Sequence, residues 1–322
     1  LTAQKSFELS KSFPIAENGT LHLESADADV RITVDDTDVV KVEISRVVSG
    51  ALAKRQFGFD INTDNGDLFI KEVYERKPFL WNSEKLISYT IDIRLPYDVN
   101  LMMRGDDDNY QIEGIQGDIK LKANDGEVTF SSMHGNELDI ELEDGYININ
   151  DCNSILSVNL KDGNLVIQDS QINDLSIKAI DGDITSKNST SINSSIKIAD
   201  GDIHLDKAKG VLQVKSTDGG IKLNEVECSS TSIRTTDGDI QMGMFLLTDS
   251  KHTITTIDGD IDITILEGGG KFEIVREDSD IDFAEDKFNI LKSGRRNLVL
   301  QSKASEAAYL SIKSSDGDIT IK

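Results

Sequence analysis

The chain has 322 residues, of which 38% are hydrophobic, and its 34 basic and 58 acidic residues give a formal net charge of −24 at pH 7. Such a charge repels nucleic acid and anionic membrane surfaces, so the composition argues against a nucleic-acid partner. No apolar run approaches the roughly 20 residues that a membrane-spanning helix needs. We therefore expect no direct insertion of this chain into a membrane.

The first third of the chain predicts strands without a fixed spacing. Alternating apolar and polar residues predict short, half-buried strands at 20–25, 29–34 and 39–44 and longer ones at 67–74 and 86–95. The alternation is lost over 49–57, where we expect a helical turn or a loop. Pro96 should end the last strand because it has no backbone N–H to donate. The loop between the two longer strands carries Phe79, Leu80 and Trp81. This apolar loop is a candidate binding anchor, or else it covers the open end of the fold.

The rest of the chain repeats the sequence Asp-Gly-Asp-Ile in intact or altered form. We call the first Asp of each copy the corner aspartate; these residues are Asp125, Asp144, Asp162, Asp181, Asp200, Asp218, Asp237, Asp258, Asp278 and Asp316. The spacing is 18 to 21 residues, except for a last step of 38, which we interpret as two periods with an altered copy near 297–300. A repeat of this length predicts a solenoid, in which each turn, or rung, packs on its neighbours.

The positions around each corner aspartate predict how a rung is built. Residues four before and three after it are apolar in every copy, and the residue five after it is apolar in all but one. These columns should point inward, with two strands per rung that bend at the corner. Glycine follows the aspartate in nine of the ten copies and would supply the left-handed backbone of the bend. If such rungs stack in parallel and in register, the result is an all-β fold, a β-solenoid. We favour right-handed winding.

We expect one continuous elongated body, with a strand-rich N-terminal cap over residues 1–104 and a solenoid over 105–322. The last copy, at 316–322, should form an uncapped terminal rung. An open strand edge can pair with another molecule, so the sequence predicts end-to-end self-association. Cys152 and Cys228 are about four periods, or roughly 19 Å, apart along such a stack, so we expect two free, packed thiols.

These features resemble the bacterial putative-adhesin family of β-strand repeats, largely a domain of unknown function. The likeness rests on Phe13-Pro14-Ile15 with 19–23, on 91–96, and on the Asp-Gly-x-Ile copies through Lys322, and it covers most of the chain. The resemblance implies a β-helix-like fold, adhesion, and an exported protein of the bacterial periplasm or cell surface, and it offers no catalytic residues. Because the chain begins at Leu1 without Met, we expect that an export signal or anchor has been removed.

Paired aspartates of four copies are the candidate metal ligands. They are Asp181 with Asp183, Asp200 with Asp202, Asp237 with Asp239, and Asp258 with Asp260. Stacked carboxylates attract Ca²⁺, so calcium is the one cofactor that the sequence suggests. The alternative, which we prefer, is that the corner aspartates accept backbone N–H groups at their own turns. The second acidic position is replaced by Tyr146, Asn164 and Gly220 in other copies, and the glycine-rich nonapeptide of calcium-binding β-rolls is absent.

A basic column precedes the corner aspartates by three residues. It contains Lys122, Lys178, Lys197, Lys215, Arg234 and Lys313. Such a column could bind an anionic glycan. In so acidic a chain, the simpler expectation is that these cations balance acidic neighbours across the sheet.

The sequence shows no motif with metal-ligand spacing and no clustering of its four histidines. We therefore expect a non-enzymatic interaction protein, an adhesin or scaffold whose partner is a surface protein or a glycan. The alternative is a glycan-binding or glycan-cleaving β-helix protein. Cleavage would require a cleft with two carboxylates about 5 to 10 Å apart.

Overall fold

The computed structural model describes residues 4–49, 57–74, 85–304 and 308–322. In these ranges the chain forms 24 β-strands and no helix, which confirms the all-β, solenoid-like fold. Within these ranges there is accordingly no helix of the length and hydrophobicity that a membrane span requires. The chain divides into two compact units, 1–154 and 155–322. The predicted cap boundary at residue 104 stays a prediction, and the predicted anchor of Phe79, Leu80 and Trp81 lies outside the described residues.

Unit 1 contains the five strands that the alternating segments predicted, together with several that the alternation did not indicate. Its strands are β1 (Gln4–Pro14), β2 (Thr20–Glu24), β3 (Asp29–Val34), β4 (Val39–Ser49), β5 (Phe57–Asp64), β6 (Asp67–Tyr74), β7 (Lys85–Leu95), β8 (Asn100–Arg104), β9 (Asn109–Glu113), β10 (Ile119–Met133) and the first part of β11 (Glu137–Gln168). Strand β7 ends directly before Pro96, as expected of a residue without a backbone donor.

The rungs of unit 1 stack in parallel but not in chain order. Strand β2 pairs with β6 on one side and β8 on the other, and β3 pairs likewise with β7 and β9. Strands β8 and β9 continue onto β10, and β10 pairs with β11 so that Asp125 lies opposite Asp144 and Gly126 opposite Gly145. At the other end, β4 pairs antiparallel with β7, β1 with β4, and β5 with β6. Antiparallel strands therefore cap the first rungs.

Unit 2 contains the remaining strands. They are the rest of β11, β12 (Gln171–Asp181), β13 (Ile184–Lys197), β14 (Ile203–Lys215), β15 (Ile221–Arg234), β16 (Ile240–Leu246), β17 (Lys251–Thr255), β18 (Ile261–Gly268), β19 (Gly270–Arg276), β20 (Ile281–Phe283), β21 (Phe288–Ser293), β22 (Asn297–Ser302), β23 (Ala308–Ser314) and β24 (Ile319–Ile321). From β12 to β18 equivalent strands pair in parallel, with Ile196 opposite Val214 as an example of the predicted register.

The last copy of the repeat is inside the stack of unit 2, so the prediction of an uncapped terminal rung is wrong. Strand β23 pairs with both β17 and β19, and β24 pairs with both β18 and β20. Strand β22, predicted as an altered parallel copy, instead pairs antiparallel with β19 and β21 and forms part of a cap. The edge invoked for end-to-end self-association is therefore occupied. Self-association itself stays a prediction.

The inward columns form the core as predicted. Every residue four before a corner aspartate is buried, and so are the columns three and five after it, except for Ile281 and Phe283. Those two residues belong to β20, which among the described strands pairs only with β24. Burial of each isoleucine contributes about 1.5–3 kcal/mol, so four or five inward residues stabilise a rung. Cys152 and Cys228 are both buried and neither is in a disulfide, which confirms the predicted packed thiols.

Two features of the corners require glycine: the left-handed backbone conformation of many corners and the close approach of the backbone of the neighbouring rung. At Gly219 the φ angle is +99° and a Cβ atom would lie 2.3 Å from the carbonyl oxygen of Gly201, one rung away. At Gly317 the φ angle is not left-handed, contrary to the prediction, yet a Cβ atom would lie 1.8 Å from the Gly259 oxygen. The contact between rungs therefore selects glycine even where φ does not.

Candidate functional site

The second aspartates of the predicted calcium ladder form hydrogen bonds between rungs. Oδ1 of Asp183 accepts the backbone N–H of Asp202 (2.9 Å), and Oδ1 of Asp202 accepts that of Gly220 (2.7 Å). Asp239 accepts the N–H of Asp260 at 2.9 Å in the same way. In-register parallel stacking brings each side chain close to the next N–H, about 4.8 Å along the stack. These carboxylates thus bond across rungs, a role that the sequence analysis did not assign to them.

Corner aspartates of neighbouring rungs lie opposite one another, as Asp181 does with Asp200 and Asp218 with Asp237. Asp218 Oδ1 accepts the N–H of Gly219 at 3.0 Å, as predicted. At Asp316 desolvation raises the pKa of the carboxyl, and its hydrogen bond with Asp258 raises it further. No group of three or more His, Cys, Asp or Glu side chains in the described ranges has the geometry of a metal site. A calcium site along Asp181, Asp200, Asp237 and Asp258 stays a prediction.

Six neighbouring strands of unit 1 present an outward surface that we call the polar face. Two rows of side chains cross β1, β4, β7, β3, β9 and β10. The first row is Ser10, Glu43, Asp92, Arg31, Gln111 and Thr129; the second is Glu8, Ser45, Thr90, Asp29, Asn109 and Glu127. Every one of these side chains can form hydrogen bonds. At about 4.8 Å per strand the rows extend for about 24 Å.

Two shallow depressions lie on the polar face and share Thr90 and Asp92. One, of about 600 Å³, extends over β3, β9 and β10; the other, of about 520 Å³, extends over β1 and β4. Some of the polar groups are already ordered: Asn109 donates from Nδ2 to Asp29 at 2.9 Å. Sequence alternation gave the outward residues of each strand, but it could not show that these strands are neighbours.

The buried carboxylate of Asp108 and the half-buried carboxylate of Glu72 hold the backbone turn between β2 and β3. Asp108 is fully buried and accepts the N–H of Ala28 (2.6 Å) and the hydroxyls of Ser25 (3.0 Å) and Tyr110 (3.2 Å). Desolvation raises the pKa of its carboxyl to about 6, although the three donors oppose the shift. Desolvation likewise raises the pKa of Glu72, which accepts Tyr89 Oη (2.8 Å) and the N–H of Ala26 (3.1 Å). Their bonds within the protein indicate a structural role.

Solved structures of several bacterial proteins are similar to this chain along nearly their whole length. A putative cell adhesion protein from Clostridium sporogenes is 10% identical, with 99% of each chain covered and a TM-score of 0.25. A putative adhesin from Parabacteroides merdae is 14% identical, covering 98% of this chain and 96% of its own, with a TM-score of 0.34. A putative lipid binding protein from Parabacteroides distasonis is 13% identical, covering 98% and 97%, with a TM-score of 0.36.

No curated protein matches the chain. The family model described as Toastrack DUF4097 matches twice, over residues 54–213 and 156–322, and these matches together span most of the sequence. They include strands β5 to β10, the whole of β11 and the repeat through Lys322. The chain therefore belongs to the Toastrack DUF4097 family.

Proposed function

We propose that this protein is a non-enzymatic interaction protein of the bacterial cell envelope, an adhesin or scaffold, and that its polar face binds an extended glycan. The observation that carries the proposal is the pair of hydrogen-bonding rows across six strands of unit 1. Carboxylate, amide, hydroxyl and guanidinium groups suit the many hydroxyls of a sugar chain. A glycan lying across the strands would meet polar groups at each strand. Export to the envelope is part of the same proposal.

A glycan array with the full chain tests this function. Asp92 lines both depressions, and Gln111 lies in the larger one, so Asp92→Ala and Gln111→Ala each remove polar contacts to a bound chain. Each loss of a well-formed hydrogen bond should weaken binding about tenfold, as expected for 1.4 kcal/mol. Gln241→Ala is the matched control, because Gln241 is an exposed strand glutamine in unit 2. Failure to retain any neutral glycan, or equal retention by all three variants, would contradict the proposal.

Glycan cleavage is the second candidate, and one observation favours it. Glu43 and Asp92 lie directly opposite each other in β4 and β7, where side chains of an antiparallel pair are about 4.5–5.5 Å apart at Cβ. We prefer binding because the depressions are shallow, whereas glycosidic catalysis gains from a site that excludes water. Release of reducing ends from a bound glycan, abolished by Glu43→Gln, would favour cleavage instead.

A further inference from the structure

The basic column of unit 2 stacks cation on cation. In the parallel register, Lys178 lies opposite Lys197, Lys197 opposite Lys215, and Lys215 opposite Arg234. All four side chains are exposed. We call these four residues the basic ladder. At about 4.8 Å per rung it extends for about 14 Å along the stack.

The same column behaves differently in unit 1. There Lys122 lies opposite Glu141 and forms an ion pair with it at 2.5 Å; in the column two residues before it, Lys120 pairs with Asp139 at 2.8 Å. Within the part of the chain that the structure describes, no ion pair involves the four residues of the basic ladder. The expectation that the column balances acidic neighbours across the sheet is therefore confirmed for Lys122 and wrong for the ladder, whose four cations lie opposite one another, with Thr255 on the far side of Arg234.

Hydroxyl and amide groups border the basic ladder. The outward residues two before its cations, which pair with one another across the same strands, are Ser176, Ser195, Gln213 and Ser232. All four are exposed. On the other side of the ladder, each corner aspartate follows its cation by three residues. At about 3.3 Å per residue, the column of aspartates is therefore roughly 10 Å from the column of cations. That distance is about one Debye length at 0.1 M salt, so bulk ions screen much of the attraction between the columns.

We propose that the basic ladder binds a linear acidic polysaccharide that lies across the strands. Like charges directly opposite each other in a sheet are unfavourable, and an anionic chain would relieve this repulsion at each rung. The regular spacing places one cation per rung beneath such a chain, while the adjoining serines and Gln213 are placed to bond to its hydroxyls. The site is separate from the polar face of unit 1 and does not depend on the function proposed for it.

A sugar polymer fits the ladder better than a nucleic acid does. Nucleic acids bind single-strand sites through aromatic side chains on which bases stack. The outward positions around the ladder carry serine, glutamine, alanine, threonine and Ile180, and none is aromatic. Because the net charge is −24, the ladder must act at short range, through contacts to successive anionic groups and not through long-range attraction.

The test measures binding of the full chain to alginate, dextran sulfate, neutral dextran and a single-stranded oligonucleotide. The ladder variant carries Lys178→Gln, Lys197→Gln and Lys215→Gln. The control variant carries Lys187→Gln, Lys207→Gln and Lys222→Gln, which make the same change in net charge in the strands that follow the corners. We expect the wild type to bind alginate or dextran sulfate but not dextran, the ladder variant to bind about tenfold or more weakly, and the control variant within about threefold of the wild type.

Binding of alginate alone would identify carboxylates as the preferred anion, and binding of dextran sulfate alone would identify sulfates. Thermal unfolding of both variants checks that they are folded; removing like charges should leave the ladder variant at least as stable as the wild type. Three results would overturn the proposal: no binding of either acidic polymer, equal losses in the two variants, or tighter binding of the oligonucleotide than of both polysaccharides.

Discussion

Stacking at the corners constrains single residues within a repeat that otherwise tolerates variation. Gly219 and Gly220 are adjacent, yet only Gly219 has a left-handed φ and lies against a backbone carbonyl of the previous rung. A Cβ atom on Gly220 would have Asp202 Oδ1, at 3.3 Å, as its nearest neighbour. The two positions therefore separate the effect of close backbone stacking from that of simply adding a methyl group.

We predict that Gly219→Ala lowers the free energy of unfolding by about 2 kcal/mol or more, because both the φ angle and the contact with Gly201 become unfavourable. Gly220→Ala should cost less than about 1 kcal/mol, since a side-chain oxygen can move by a few tenths of an ångström. Urea denaturation of the two variants measures the difference. Equal losses would show that the corner tolerates a Cβ atom at either position.

The buried carboxylate of Asp108 should make the stability of the chain depend on pH. Its pKa is raised from 3.8 to about 6 in the folded protein, so between these values the folded state binds a proton that the unfolded state does not. Stability contributed by this group therefore rises as pH falls from about 6 to 4, by at most about 3 kcal/mol. Asp108→Asn should abolish this dependence while keeping an acceptor for the N–H of Ala28.

The measurement is the difference in unfolding free energy between the wild type and Asp108→Asn at several pH values. Subtracting the unfolding free energy of the variant from that of the wild type cancels the pH dependence due to the many other acidic groups, which both proteins share. We expect the wild type to gain stability relative to the variant as pH falls from 7 to 4. A constant difference over this range would contradict a raised pKa at Asp108.

At the scale of the strands, both units place a rung out of chain order. Strands β2 and β3 lie between rungs that come later in the chain, and β23 and β24 lie between β17–β18 and β19–β20. Insertion is physically straightforward because every rung presents similar apolar columns to its neighbours. The cost of losing an inward residue should therefore follow position in the stack and not position in the sequence.

Ile319 and Ile281 test this order, because they occupy equivalent positions in neighbouring rungs. Ile319 is fully buried between β18 and β20, and we predict that Ile319→Ala costs about 2–5 kcal/mol. Ile281 is half-buried in the edge strand β20, so Ile281→Ala should cost about half as much or less. Chemical denaturation gives both values. A larger loss at Ile281 would indicate that the rungs stack in chain order.

The spacing of apolar residues was enough to predict most of the strands, the inward columns and the in-register pairing of the repeat, because these depend on local alternation and a fixed period. The order of the rungs at the two ends could not be predicted, since identical columns allow any rung to pack on any other. The outward sites depend on that order. Asp92 and Arg31 are about 60 residues apart in sequence but adjacent in the polar face, and no sequence pattern links them.

For the whole molecule, the net charge of −24 is a sum over all charged side chains. It does not give the local charge of the surface to which a partner binds. The ion pair of Lys122 with Glu141 in unit 1 and the basic ladder of unit 2 occur in the same column of the repeat. Composition alone argued against anionic partners. The register of the strands instead creates a local row of cations, on which an anionic polymer can bind within the screening length of the solution.

The most direct test of binding along strand faces is the affinity of the full chain for oligogalacturonates of increasing length, measured by calorimetry from the monomer to about eight residues. If the basic ladder binds the chain rung by rung, affinity should rise with each added residue until the ligand covers its four cations and should then change little. The ladder variant should lose the rise. Equal affinity for the monomer and the longer chains would contradict the account, because it would place recognition in a pocket and not along the stack.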